Sequence, residues 1–561
     1  MSKNSVLSKD FRVSDNFYLS DKILQHFLRC FISPQGAEFM YPYWHKLGHL
    51  AATEMNHLSM RADKEGPKHI KRNYLGENID EISFHPDYWR LVDIAVESKM
   101  LQIKWHPTYR ENFGYERNKL SFAVGYLYAM TESGVYCPLC MTDGVALLLD
   151  KYAETQDALR LLPHIYTSKK AQFFTGAMFL TEKVGGSDVG ANLVEATLIK
   201  DKTYALNGEK WFCSNANAQI IFALARTDKN IEGTRGLGIF LLEQNPHHKN
   251  KNGMELVRLK DKLGVRSMAS GEYIFHNTKA KLVGGATEGF KIMAEMMNLS
   301  RLYNSVAALS AMRRALIEAY QYLSFRNTFG KPALSHALIR TKLEELGSIN
   351  VANFYLTWSA IAALDAAENG NAQEAEILRF VTPMVKKITA EDAVYVVREA
   401  MELMGGIGYI EDGIMPKIMR DVMVLPIWEG AGNIMLLDML RASAKSKGWQ
   451  ILKERMQKSY SKLASEKQAI LLAELSSIES NMKTVLQSQE EEIIQASIKP
   501  IFEKFTRLYQ VALMLEHKDK ESEKWISPAI DFWLKKLQNQ SNLIVKPLDI
   551  ESIKNLIAWT F

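Results

Sequence analysis

The sequence predicts a mainly α-helical chain with one central β-barrel domain, and three observations carry that prediction. Apolar residues recur at three- and four-residue spacing through "LSDKILQHFLRCF", "DYWRLVDIAVESKMLQI" and "LSFAVGYLYAMTESG", the period of helices with one buried face. From residue 176 the texture changes to short segments that alternate apolar with polar, the period of strands. Beyond residue 286 the helical period returns in runs of thirty residues and more. A chain of 561 residues is too long for one core. The expected division is a helical N-terminal domain over 1–175, a β-barrel domain over 176–285, a helical bundle over 286–444 and a helical C-terminal extension over 445–561.

Within the first segment, the polar, Pro- and Gly-marked stretch "RADKEGPKHIKRNYLGENIDEISFHP" reads as an irregular connection between helices. In the second, "NLVEATLIKDKTYALNGEKWFCSN" alternates and carries Asn207-Gly208, a hairpin signal. "IIFALART", "RGLGIFLLEQ", "MELVRLKDKLG" and "GEYIFHNTKAKLV" follow as further strands. The bundle is written in three long helical stretches, and a fourth helix is expected from near Gly432 to about Ala444.

Composition limits the function classes. An apolar fraction of 47%, a charged fraction of 24% and a net charge of +5 suit a soluble protein and give no broad basic footprint for nucleic acid. No apolar run is long enough to span a bilayer, and the N-terminal stretch resembles neither a secretory signal nor a transit peptide. Four cysteines make no disulfide framework, so a reducing, cytoplasmic setting is expected. Cys137 and Cys140 form a lone CxxC without a second pair and read as structural thiols.

Five stretches carry chemistry-bearing residues. In "MFLTEKVGGSDVGAN" a strand gives way to a Gly-Gly-Ser-Asp turn flanked by the Thr181 and Ser187 hydroxyls; its glycines suit an anion-friendly loop, but alone it reads first as an ordinary turn. In "GEKWFCSNAN" Trp211 and Phe212 are expected on opposite strand faces, with Ser214 on the Phe212 side. Arg326, in "SFRNTFGKPALSH", stands where a long helix closes and can clamp a phosphate or simply complement the helix end. "MELMGGIGYIEDGIMPKIMRDV" reads as a helix stopping at Gly405-Gly406 and a loop leading to Arg420-Asp421. The last stretch, "LPIWEGAGNIM", sets one carboxylate, Glu429, between Trp428 and three small residues.

Taken in order, Thr181-Glu182 with Gly186-Ser187-Asp188, Lys210-Trp211-Phe212, Arg326 with Phe329-Gly330, Gly405-Gly406, and Arg420-Asp421 with Trp428-Glu429-Gly430 resemble the acyl-CoA dehydrogenase superfamily. "NFYLSDKIL", "FHPDYW", "CPLCMT", "LTEKVGGSDV", "LKDKLGVRSMAS", "AMRRA" and "IWEGAGNIMLLDMLR" are similar to its AidB-like branch, which also carries a C-terminal helical extension. The resemblance implies FAD. It assigns Leu180, Thr181, Gly186 and Ser187 to the isoalloxazine edge and ribityl chain, and sets Phe212 and Ser214 against the ring. It gives Arg326 and Phe329 to the pyrophosphate or adenine of a flavin in a neighbouring subunit, and Gly430, Ala431 and Asn433 to the border of the flavin, with bulky Trp428 beside it. It also implies a homotetramer. Glu402 and Ala337 stand where many dehydrogenases have Gln, which leaves the adenine contacts open.

An α-proton of a thioester needs a positioned base. Small neighbours leave Glu429 room over a flat ring, and Glu429 is therefore the expected catalytic base, against the plain alternative of a Glu favoured at a helix start. The expected activity is dehydrogenation of a small or branched acyl-CoA. The other reading is an AidB-type stress-response flavoprotein that binds DNA and dehydrogenates weakly; the 445–561 block is only slightly more basic than acidic, so weak DNA binding at most is expected. An oxidase of nitroalkanes would place Asp at the base position, and Glu429 speaks against it.

Overall fold

A computed structural model describes residues 12–244, 252–538 and 545–561. They group into two compact units that cut across the four expected segments. One unit gathers residues up to Glu54, Tyr115–Thr131 and Asn304–Phe561; the other gathers Met55–Gly114 and Glu132–Tyr303. Helical periodicity shows that a helix has a buried face but not which later element covers it, so the sequence could not assign the first helices to their partners.

The second unit holds the barrel. Strands β1 (Lys68–Arg72) and β2 (Asn78–Ser83) form a separate antiparallel hairpin, in the stretch read from sequence as irregular. Their side chains are exposed or half-exposed on both faces, so no apolar alternation marked them. The barrel strands are β3 (Gly176–Phe179), β4 (Glu195–Lys200), β5 (Thr203–Ser214), β6 (Ile220–Arg226), β7 (Leu237–Glu243), β8 (Met254–Leu259) and β9 (Ser270–Val283). β5 pairs with β4 and β9, β9 with β7, and β7 with β6. β6 meets β4 at Glu195–Arg226, which closes the ring. Inward residues such as Phe179, Leu206, Ile221, Phe240 and Tyr273 fill it, with Phe179 and Tyr273 stacked at 5.4 Å.

Asn207-Gly208 is not the hairpin turn. β4 and β5 turn at Asp201-Lys202, where Asp201 is left-handed (φ 52°), and Asn207-Gly208 lies inside β5 at a break in register. A side chain at Gly208 would press within 3.0 Å of Val194, and its φ is 133°, so the glycine serves a close approach at a bulge.

The first unit is helical. It includes the Ala337–Glu368, Ala372–Met404 and Gly432–Lys445 helices and its share of the Gly289–Phe325 helix. The 445–561 block adds five more, Gly448–Tyr460, Ser465–Gln487, Glu491–Glu516, Glu523–Leu537 and Ile550–Ile557. This block is packed into the unit. Arg507 binds Asp392 through both carboxylate oxygens (2.7 and 2.8 Å), and the Trp525 and Trp533 indoles donate to Tyr355 and to the Ser348 carbonyl. At the unit's centre the Arg313 guanidinium holds Asp21 and the carbonyls of Ile557 and Ala558, and Tyr126 donates to the same Asp21. Trp559 is wholly buried, edge-on to Phe17, and donates to the Val13 carbonyl. No helix among the described residues is long and apolar enough to cross a membrane.

Candidate active site

In the barrel unit the loop after β3 is held by a buried ion pair. Lys210 and Glu182 meet at 2.6 Å, and both are buried. Glu182 also accepts from the backbone N–H groups of Leu193 and Val194, while Lys210 and Asn192 both donate to the Leu180 carbonyl. Burial pulls the Lys210 ammonium below its ordinary range against the opposing pull of Glu182. Leu180 and Thr181 are thereby fixed, and the Thr181 carbonyl accepts from the Trp211 N–H. The Gly185 N–H is not free for an anion, because it donates back to the Glu182 carbonyl, and a side chain there would strike the Asp188 carbonyl at 2.7 Å. Gly186 and Ser187 are exposed, and a Cβ on Gly186 would touch only Thr181, so the loop surface is open there.

Trp211 and Phe212 do not lie on opposite faces. β5 slips register between Lys210 and Cys213, so those two residues point inward and both aromatic rings stay outside. The Lys260 ammonium sits over both rings, 3.6 Å from the Trp211 centroid and 4.3 Å from that of Phe212. Glu272 holds Lys260 at 2.8 Å; burial would raise the Glu272 carboxyl, but hydrogen bonds from Lys260 and Arg258 keep it below its usual range. Phe212 is 51% exposed and Ser214, half-buried, lies 3.4 Å from Ser270. An open loop with a fixed hydroxyl beside a half-bare aromatic ring suits a flat, polar-edged cofactor.

In the helical unit Glu429 stands in the turn between the Ile414–Val422 and Gly432–Lys445 helices, and the first of these takes up much of the stretch expected as a loop leading to Arg420-Asp421. Asp421 is paired with Lys417 at 2.7 Å. Glu429 is half-buried and left-handed (φ 57°), and Gly430 follows with φ 101°. A non-glycine residue there carries backbone strain that only its surroundings can maintain. Those surroundings are visible. The buried Lys386 ammonium donates to the Pro426 and Gly430 carbonyls on either side of Glu429. The Trp428 indole donates to Asn304. Ala431 caps the next helix, Gly432 comes within 3.1 Å of Glu391 at the position of a Cβ, and Asn433 is exposed in its first turn.

Arg326 lies just past the end of the Gly289–Phe325 helix and is exposed. The Asn327–Thr328 and Lys331–Pro332 pair forms a minimal hairpin turning at Phe329 (φ 51°) and Gly330 (φ 78°), which leaves Phe329 96% exposed. The expected cofactor residues thus fall in two groups, Leu180, Thr181, Gly186, Ser187, Phe212 and Ser214 in one unit and Arg326, Phe329, Trp428, Gly430, Ala431 and Asn433 in the other. Sequence reading gave no role to Lys386, Asn304 or Lys260. The one signal for Lys386 was a pair of lysines inside the apolar run "VTPMVKKITA".

Family models match along the chain: the adaptive response protein AidB N-terminal domain over residues 9–169, the acyl-CoA dehydrogenase middle domain over 177–278 and the acyl-CoA dehydrogenase C-terminal domain over 287–444. Acyl-CoA dehydrogenase family member 11 of Caenorhabditis elegans is 31% identical over 76% of this chain and 70% of its own. The putative acyl-CoA dehydrogenase AidB of Escherichia coli is 30% identical over 78% of this chain and 79% of its own. The crystal structure of C. elegans ACDH-11 in complex with C11-CoA superposes with a TM-score of 0.88 at 27% identity, covering 97% of this chain and 95% of that one. With the helix–barrel–helix order and three consecutive family domains, the chain belongs to the acyl-CoA dehydrogenase family, FAD-dependent oxidoreductases that act on acyl-CoA.

Proposed function

We propose that the protein is an FAD-dependent acyl-CoA dehydrogenase in which Glu429 removes the α-proton of the acyl thioester. The observation that carries this reading is the turn around Glu429. Glu429 stands on a strained left-handed backbone, in a turn pinned by Lys386 on both sides and by Trp428 through Asn304. Strain kept in place by buried partners fixes a reacting group without reorganisation at the moment of reaction. Leu180, Thr181, Gly186 and Ser187 would hold the edge of the flavin, and Phe212 and Ser214 its ring. In the helical unit Gly430, Ala431 and Asn433 would border a flavin, while Arg326 and Phe329 would reach a flavin of a neighbouring subunit. FAD, when bound, supplies the acceptor for the β-hydride. Glu429 takes the α-proton, and the Lys386 clamp keeps it in place as it does so.

A homotetramer is part of the same proposal, and the exposed Leu338 and Tyr409 side chains are apolar surface that contact between copies would cover. The relative solved with C11-CoA supports an acyl-CoA substrate and extends the chain lengths to be tried beyond short and branched ones. Rapid mixing of the FAD-loaded protein with short, branched and C11 acyl-CoA, followed at the flavin absorbance, tests the reading. Glu429→Gln should slow flavin reduction by roughly 10²- to 10⁴-fold, the usual worth of a positioned base, with FAD content unchanged. A variant that reduces as fast as the parent places the base elsewhere.

A further inference from the structure

His26, Cys30 and Asp519 bring one ligand atom each within 4.8 Å of one another, in a part of the helical unit that the proposed chemistry does not use. His26 and Cys30 lie one turn apart on the Lys22–Phe31 helix, so their side chains share a face. Asp519 comes from the connection between the Glu491–Glu516 and Glu523–Leu537 helices. His26 Nε2 is 2.8 Å from Asp519 Oδ2 and 3.7 Å from Cys30 Sγ.

The same nitrogen faces both partners, which decides what the cluster can do. A nucleophile relay needs the thiol on one ring nitrogen and the carboxylate on the other. Here both converge on Nε2, while Nδ1 is buried and has no hydrogen-bond partner among the described residues. An imidazole nitrogen, a sulfur and a carboxylate oxygen gathered within 4.8 Å of one another are the donor set of a cation site, and the sulfur and the oxygen need to come to roughly 3.5 Å for a tetrahedral ion. Tetrahedral zinc, with Zn–N near 2.0 Å and Zn–S near 2.3 Å, sets its ligand atoms roughly 3.3 to 3.7 Å apart. The His26–Cys30 separation fits as it stands, and the His26–Asp519 contact needs to open by about half an ångström on the same scale. Asp519 is otherwise well braced. Its Oδ1 accepts from the N–H groups of Glu521 and Ser522 and from the Ser522 hydroxyl, leaving Oδ2 for the site.

We propose that His26, Cys30 and Asp519 form a binding site for a zinc-class divalent cation, with water in the fourth position, fastening the Lys22–Phe31 helix to the 517–522 connection. On binding, the Cys30 S–H bond breaks and its proton passes to solvent. In the bound form the imidazole carries its proton on Nδ1 and meets the ion with the Nε2 lone pair, and the hydrogen bond between Nε2 and Asp519 Oδ2 is given up for a bond from each atom to the ion. The thiolate and carboxylate charges together balance the ion.

The four cysteines provide a direct test, because Cys137, Cys140 and Cys213 are buried and Cys30 is exposed. Full-length, reduced, chelator-stripped protein is reacted with a chromogenic disulfide, and Cys30 gives the fast phase. One equivalent of ZnCl₂ should slow that phase tenfold or more and release one proton per ion to a pH-indicator dye. Asp519→Asn keeps the Oδ1 acceptor but loses the second carboxylate oxygen, and His26→Gln removes the ring. Each should leave Cys30 reactive and abolish the zinc protection. An unchanged Cys30 rate at tenfold excess zinc overturns the proposal, as does protection that survives in either variant, since the thiol alone would then be the ligand.

Discussion

Glu429 is the residue at which sequence and structure meet most usefully. The sequence showed an isolated carboxylate among small side chains, and the family pattern gave it a role. Neither showed how it is held. Its left-handed backbone and the Lys386 clamp depend on a helix that begins more than fifty residues earlier in the chain, Ala372–Met404, and no local pattern announces that partnership. Lys386→Met should therefore act on both stability and rate. Two half-buried carbonyls, those of Pro426 and Gly430, lose a shared donor, worth about 1 to 3 kcal/mol, which should lower the thermal midpoint. The freed turn should also slow flavin reduction at unchanged FAD content, measured by the same rapid-mixing assay. A variant that loses stability and keeps its rate would separate the clamp from the chemistry.

Among the elements, β5 teaches the most. Its alternation was legible, and so was the aromatic pair. Its two breaks in register were not, because a bulge changes which face a residue takes without changing the composition of the strand. That is why Trp211 and Phe212 share a face, and why Asn207-Gly208, a sound turn signal by composition, ended inside a strand. The inward slot created by the second break is filled by Lys210, whose charge is tolerable only beside Glu182. Lys210→Met should leave a buried, unpaired carboxylate and cost about 3 to 5 kcal/mol, read as a drop in chemical-denaturation midpoint. The double variant Lys210→Met with Glu182→Gln should recover part of that loss. The β1–β2 hairpin was illegible for a simpler reason: with neither face buried, nothing in its pattern distinguished it from a loop.

On the scale of the whole molecule, the order of helix, barrel and helix could be read directly, since periodicity reports element type over long runs. The grouping into units could not, because it rests on contacts between stretches hundreds of residues apart. The C-terminal block illustrates this: it reads as an appendage and is packed as core. Its His517 makes the packing measurable through pH. The ring stacks on Tyr355 and meets Phe31 edge-on. Burial, with the nearby cations of Arg455 and Lys462, holds it down to about 4. The folded value lies below the ordinary one near 6.5, so the unfolded chain takes up the proton first. The stability involved is intact above about pH 6.5 and is lost as the pH falls from there to 4, with about 2 kcal/mol gone by pH 5. Asp365 works the other way: burial lifts its carboxyl to about 6, so its contribution grows as the pH falls through that value. His517→Phe keeps the ring contacts and cannot titrate. Its thermal midpoint should fall less than the parent's between pH 7 and pH 5, and equal slopes would mean that the ring is not shielded as described.

The burial of Trp559 against Phe17 and Val13 sets a timetable for synthesis. Helices that leave the ribosome first must wait, with Arg313 lacking the Ile557 and Ala558 carbonyls, until the stretch that carries them emerges. The helical unit therefore cannot close until the stretch that carries Ile557, Ala558 and Trp559 has been made, whatever the state of the barrel.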